Sequence, residues 1–168
     1  MRNVKKVLFR TAASVLLAGW MTVIFLFSAQ PASESAEVSV GVAYRLLCKA
    51  DEFFQMELME DELLSCTQKL DYPIRKLAHM SEYGILALFS FLFFAAFGVA
   101  GRRRYLSALA LTAAYAATDE FHQLFVPGRA GRPGDVVLDT VGAVVCLLLV
   151  RAAGKIAGTF MELGDGSK

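Results

Sequence analysis

The sequence predicts an all-α fold: a four-helix integral membrane bundle, with an extracytoplasmic loop containing short amphipathic helices between spans one and two. Of its 168 residues, 56% are hydrophobic, and the mean hydropathy is +0.49. Several uncharged stretches approach the roughly 20 residues that cross a bilayer as a helix. A soluble domain of this length cannot bury so much apolar surface. The composition also excludes a disordered chain and, with only 3 Cys, a disulfide scaffold.

The whole chain, 1–168, is predicted to form one membrane domain whose spans are residues 8–29, 75–101, 105–125 and 134–151. Thr11–Gln30 and Tyr83–Gly101 are free of charge over a full spanning length. The third span reaches that length only by including Asp119 and Glu120, and the fourth only by including Asp139. The N-terminal apolar stretch exceeds the about 7–15 residues of a signal-peptide core, which favours an uncleaved first span.

Basic residues beside the spans predict the orientation. They are concentrated in short flanking segments: Arg2, Lys5, Lys6 and Arg10; Arg102, Arg103 and Arg104; Arg151, Lys155 and Lys168. By the positive-inside rule these segments face the cytoplasm. We therefore expect a multi-pass protein of the cytoplasmic (plasma) membrane with both termini cytoplasmic.

Residues 31–72 then form an extracytoplasmic loop. Its apolar spacing predicts amphipathic helices at about Val38–Cys48 and about Glu57–Leu70, which lie on the membrane surface or cap the bundle. Cys48 and Cys66 both fall in this loop. Their spacing permits a disulfide without establishing one.

The polar residues of the later spans fall on single helix faces. At 100° per residue, each set shares an arc of at most about 120°: Arg75, Lys76, His79, Glu82 and Tyr83 in the second span; Thr112, Tyr115, Asp119, His122 and Gln123 in the third, with Glu120 at its edge; Asp135 and Asp139 beside Gly142 in the fourth. Counting residues along each span places all three faces near the outer surface. Because a charge inserted in the membrane costs about 2.5–3.5 kcal/mol, we expect these groups to be paired or to serve a function.

The connection between spans three and four is rich in Gly and Pro and carries Arg129 and Arg132 over the same rim. The candidate polar site comprises Lys76, His79, Glu82, Tyr83, Asp119, Glu120, Gln123, Arg129, Asp135 and Asp139. Within it, Lys76, Arg129 and Arg132 are the candidate anion-binding residues. The glycine at position 142 is expected to let a neighbouring helix approach closely.

Several of these motifs resemble the VanZ-like membrane protein family. They are Phe27-Ser-Ala-Gln-Pro31, Lys76-Leu-Ala-His79-Met-Ser-Glu82-Tyr83, Asp119-Glu120-Phe-His122-Gln123 followed by Arg129, and Asp135-Val-Val-Leu-Asp139-Thr-Val-Gly142. Asp139 stands where many members carry Asn. The resemblance implies a four-helix integral membrane protein that contributes to low-level resistance to the glycopeptide antibiotic teicoplanin.

Three functional interpretations follow. The site binds the head group of an anionic envelope lipid or lipid-linked precursor, with arginine supplying a bidentate fork. Alternatively, the protein is an enzyme acting on such a lipid by acid/base or metal-assisted chemistry. In the third, the charges form only a structural network in an interaction protein, with Lys76–Asp119 and Arg129–Asp135 as plausible pairs. The sequence indicates no cofactor, no metal-ligand spacing and no nucleic-acid surface, and it identifies no protein partner.

Overall fold

The computed structural model describes the backbone of residues 2–165 and the side chains of residues 3–155. Within residues 2–165 the chain is entirely helical, with no strand. Its elements are α1 (Arg2–Ser28), α2 (Ala32–Phe54), α3 (Glu60–Ala96), α4 (Gly101–Gln123) and α5 (Pro133–Asp165). The all-α class is therefore as the composition predicts.

Three of the described helices are long and apolar enough to cross a membrane: Asn3–Ser28, Glu60–Ala96 and Pro133–Lys155. Most of each apolar window is exposed on the protein surface, as expected of lipid-facing helices. The helix α4 does not join them, because three arginines follow its first residue and two acids lie near its end. The four-span bundle therefore depends on how α4 is placed in the membrane.

The central element is α3, which packs against each of the other four helices. At 1.5 Å per residue its 37 residues measure roughly 55 Å, longer than the about 30 Å of a bilayer core. The helix runs without interruption through Pro73. Its N-terminal part includes residues 60–70, so the helix predicted at about Glu57–Leu70 begins at Glu60 and continues into the span instead of forming a separate loop helix.

The segment between α1 and α3 also differs from the predicted one in length. A single helix, α2, spans Ala32–Phe54, more than the predicted Val38–Cys48. It ends where Gln55 adopts a left-handed conformation (φ 51). The Asp51 carboxylate then accepts a hydrogen bond from the Leu58 backbone N–H at 3.1 Å, which fixes the turn into α3.

The boundary between α3 and α4 lies about four residues earlier than the sequence predicts. Gly98 has φ +86, a conformation that ends helices because glycine adopts it without steric cost. The Val99 N–H donates back to the Phe94 carbonyl at 2.9 Å. α3 therefore ends five residues before the predicted span limit of 101, and α4 begins four residues before the predicted limit of 105.

Two arginines bind backbone carbonyls at one end of the bundle. At one end the Arg10 Nε donates to the Ala96 carbonyl at 3.2 Å, and the Arg104 Nε donates to the Val99 carbonyl at 2.7 Å. This end joins the start of α1, the end of α3 and the start of α4. The opposite end joins the end of α1, the end of α4 and the start of α5.

Two glycines allow α3 and α5 to cross closely. A Cβ atom on Gly142 would overlap the Met80 carbonyl oxygen and lie 2.9 Å from the Met80 Cα. A Cβ on Gly84 would lie 3.5 Å from both the Gly142 oxygen and the Cys146 Cβ. The close approach expected at Gly142 is thus present, and its partner is the α3 backbone.

Small side chains continue this packing toward the end of the bundle that carries Arg10 and Arg104. One buried cluster consists of Ala87, Ala108, Ala143 and Leu147, and another joins Leu17, Ile24, Tyr83, Leu86 and Ala116. Because alanine side chains are small, α3, α4 and α5 approach one another closely here. Small residues are frequent at helix interfaces in membranes. The three cysteines are free, so the optional Cys48–Cys66 disulfide is not formed.

Gly142→Ala should destabilise the protein, because the new methyl group forces α3 and α5 apart. Overpacking of this kind costs about 1–3 kcal/mol, measurable as a lower thermal unfolding midpoint in detergent. Gly154→Ala is the matched control, since nothing lies within 4 Å of a Cβ at that α5 position. Equal midpoints for the two variants would contradict the close crossing.

Candidate functional site

A buried carboxylate links α3 to α4. Asp119 is only 5% exposed, and its Oδ2 accepts hydrogen bonds from the Tyr83 hydroxyl at 2.9 Å and the Gln123 Nε2 at 3.2 Å. The Tyr83 ring is fully buried. Because a buried charge is costly without partners, these two donors fix Asp119 between the helices.

An ion pair links α3 to α5. The Lys76 Nζ lies 2.5 Å from the Asp135 Oδ1, and both side chains are roughly one-fifth exposed. The predicted pair of Lys76 with Asp119 was therefore wrong. Asp119 is held by Tyr83, about two helical turns further along α3, whereas Asp135 in the first turn of α5 lies beside Lys76.

The third link joins the connection between α4 and α5 to the end of α4. The Glu120 Oε2 accepts a hydrogen bond from the Arg132 backbone N–H at 2.8 Å. At Gly131 a Cβ would overlap the Glu120 carbonyl oxygen, so only glycine lets the chain pass this close. Glu120 therefore positions the loop that carries the Arg132 side chain.

Arg129 reaches across to the end of α1. Its Nε donates to the Gln30 carbonyl at 2.9 Å, and its Nη2 donates to the Phe27 carbonyl at 3.2 Å. Phe27 lies in the last turn of α1, where its carbonyl also accepts the Gln30 backbone N–H at 3.3 Å, and Gln30 follows the helix. The predicted pair of Arg129 with Asp135 was wrong, because the guanidinium turns toward α1. Burial lowers the pKa of the Arg129 guanidinium below its ordinary value, and the Asp119 carboxylate opposes that shift.

His79 and Glu82 lie at the same level but are only loosely joined. Their Nδ1 and Oε2 atoms are 3.9 Å apart, beyond hydrogen-bond distance. The Glu82 backbone carbonyl accepts a bond from the Trp20 Nε1 at 2.9 Å. The half-buried side chains of His79 and Glu82 therefore retain hydrogen-bonding capacity.

Asp139 is the least satisfied of the predicted residues. Its side chain is 1% exposed, and its Oδ1 has no hydrogen-bond partner among the described residues. Its charged neighbours include the carboxylates of Glu120 and Asp119. One oxygen of Asp139 is therefore buried beside other acids without a described donor, which is costly inside a bundle.

A cavity of about 230 Å³ opens above these links. We call it the basic cavity, and the residues that matter to its chemistry are Arg75, Lys76, His79, Arg129, Arg132 and Asp135. Ala32 and Ser35, in the first turn of α2, complete one wall, and a helix N-terminus adds partial positive charge. The lining contains four cations and a single carboxylate, which is paired with Lys76.

Sequence reasoning left Arg75 out of the site. Its Nη2 binds the Asp71 Oδ2 at 2.6 Å, and the other Asp71 oxygen accepts a hydrogen bond from the Ser39 hydroxyl. This chain of contacts holds α2 against α3 beside the cavity. The sequence feature that could have identified Arg75 is its i, i+4 spacing from Asp71, which places an acid and a base side by side on a helix.

No group of three His, Cys, Asp or Glu side chains is placed to hold a metal ion in the part of the chain whose side chains are described. The hydrogen bonds and the ion pair described above join the predicted polar faces of α3, α4 and α5 at one end of the bundle.

A model of the VanZ/LLP1 protein family matches residues 13–154, a range that includes every candidate site residue. No curated protein and no protein of known structure gives a significant match.

Tyr83→Phe should destabilise the protein, since it leaves the buried Asp119 carboxylate with one donor fewer. The expected loss is about 1–3 kcal/mol, read as a lower thermal unfolding midpoint. Tyr72→Phe is the control: Tyr72 is exposed, and the ring that faces Lys76 at 5.3 Å is retained. If both variants unfold at the wild-type temperature, the Tyr83–Asp119 bond does not stabilise the bundle.

Proposed function

This chain belongs to the VanZ/LLP1 family, and we propose that it binds the phosphate-bearing head group of an anionic envelope lipid or lipid-linked precursor. The proposed site is the basic cavity, which faces outward from the plasma membrane. The observation that carries the proposal is the charge of its lining: Arg75 is paired with Asp71 and Lys76 with Asp135, and Arg129 and Arg132 line the cavity without a carboxylate partner among the described residues.

The basic cavity contains one arginine that backbone carbonyls hold in place and one whose side chain is available to bind an anion. Arg129 is fixed by two carbonyls of the α1 end, so little side-chain entropy is lost when it meets an anion. The Arg132 side chain is exposed and makes no hydrogen bond or ion pair in the described part of the chain. Its guanidinium fork is suited to a phosphate oxygen pair.

The basic residues at the end opposite the cavity support the outward orientation. Arg10 and Arg104 lie at the end opposite the cavity, and basic flanks favour the cytoplasmic side. In this arrangement α4 is the third of four spans, and both termini are cytoplasmic. Burial of Asp119, Glu120 and Gln123 hides the polar face of α4 from lipid, so its low hydropathy is compatible with crossing.

The proposed role in the cell follows from the family. By holding the head group of a lipid-linked precursor, the protein masks or displaces the target of a glycopeptide antibiotic such as teicoplanin. This role requires binding and no chemical step. The competing interpretation is a purely structural network, which the Tyr83–Asp119 and Lys76–Asp135 links also fit.

Arg132→Gln should lower the amount of phosphate lipid that co-purifies with the protein, measured by native mass spectrometry, by about tenfold or more, the effect of losing one charge-assisted contact. Its thermal unfolding midpoint should not change, because the Arg132 contact to Glu120 uses only the backbone. Teicoplanin susceptibility of expressing cells should rise in parallel, at equal membrane abundance.

Arg103→Gln, an exposed position at the other end, is the matched control and should retain lipid and resistance. Equal lipid retention by Arg132→Gln and wild type would argue for the structural network alone.

The topology is tested by single cysteines in a variant lacking Cys48, Cys66 and Cys146. A membrane-impermeant maleimide should label Phe54→Cys and Phe125→Cys on intact cells, since both positions are exposed and lie on the proposed outer side. Arg103→Cys should react only after permeabilisation. Labelling of positions 103 and 125 from the same side would show that α4 does not cross the membrane.

A further inference from the structure

A second cavity lies beside the basic one. Its volume is about 260 Å³, and it lies among the end of α1, α2 and the middle of α3. Most of its exposed wall is apolar, contributed by Phe27, Val38, Val42, Ile74 and Ala78. We call it the apolar cavity.

The two cavities share a wall. Ser35, Arg75, His79 and Arg129 line both. Arg75 and Arg129 therefore lie in the wall between the two cavities. The other basic residues, Lys76 and Arg132, line only the basic cavity, and apolar side chains form most of the other cavity's wall. Gln30, Ser39 and the acid Glu82 add polar groups to the apolar cavity, and none of the three is a cation.

This arrangement restricts the chemistry of the occupant. A free phosphate ion would satisfy the cations and leave the apolar walls unfilled, and an uncharged lipid would do the reverse. A molecule with a phosphate joined directly to a hydrocarbon chain matches both halves. At about 30 Å³ per water molecule, the apolar cavity has the volume of roughly nine waters, which suits part of one chain.

We infer that the two cavities form one site for a phosphate-bearing amphiphile, whose phosphate lies in the basic cavity and whose hydrocarbon chain enters the apolar cavity between α1, α2 and α3. The inference rests on the proposed function, because it requires the basic cavity to bind phosphate. It adds the position of the chain, and with it a preference for lipid phosphates over soluble ones.

The test compares two water-soluble probes, ethyl phosphate and octyl phosphate, the latter below its micelle-forming concentration. Binding to the full-length protein in nanodiscs is measured by calorimetry, with empty nanodiscs subtracted. Each buried methylene contributes about fourfold in affinity, so the wild type should bind octyl phosphate at least tenfold more tightly than ethyl phosphate.

Ala78→Trp narrows the apolar cavity without touching the basic one, since Ala78 lines only the former. Octyl phosphate should then bind within about threefold of ethyl phosphate, and ethyl phosphate should bind as in wild type. Val38→Trp, from α2, is a second such variant. Ala114→Trp, at an exposed position of α4, is the control and should keep the wild-type preference.

The outcomes separate the two claims. The proposed function stands if ethyl phosphate binds the wild type and Arg132→Gln weakens that binding. In that case the inference is overturned if the wild type does not prefer octyl phosphate. It is also overturned if both cavity variants keep the wild-type preference for octyl phosphate. Loss of ethyl phosphate binding in both cavity variants also overturns the division into head and chain sites. If neither phosphate binds the wild type, the proposed function fails and the inference with it.

Discussion

The contact on which the site depends is the close crossing of α3 and α5, where the Met80 backbone lies against Gly142. This crossing sets how closely the two helices approach on either side of it. On one side it brings Lys76 to within 2.5 Å of Asp135. On the other side Gly84 lies opposite Gly142 and Cys146, and Ala87 and Ala143 belong to one buried cluster. A wider spacing would separate the Lys76–Asp135 pair and open the floor of the basic cavity.

The apolar surroundings make every polar group in this bundle consequential. In a medium with little water, an unpaired group costs more and a paired one holds its helices more firmly. Asp119 illustrates the paired case, with donors from two helices. Asp139 illustrates the other, with an oxygen that finds no donor in the described part of the chain. Such polar groups, kept inside a membrane protein at a cost, are more often functional than incidental.

The connection between α4 and α5 positions the arginines. Gly131 lies against the Glu120 carbonyl, and Glu120 binds the next backbone N–H. The loop is thereby held to α4 by its backbone while Arg129 attaches it to α1. The Arg132 side chain is left facing the basic cavity. This short Gly- and Pro-rich segment therefore connects the ends of α1, α4 and α5. The Arg132 side chain remains available, because no described residue forms a hydrogen bond or an ion pair with it.

The sequence by itself determined the helical class, the apolar spans and the polar faces, because hydropathy and the 3.6-residue period are local properties. It also indicated that Gly142 allows close packing. Only the tertiary structure decided the partners: Lys76 pairs with Asp135 and Arg129 with α1 carbonyls, since a helical face specifies a direction but not which neighbour stands there. The merging of residues 60–70 into α3 and the place where that helix stops at Gly98 depend likewise on backbone geometry that composition does not encode.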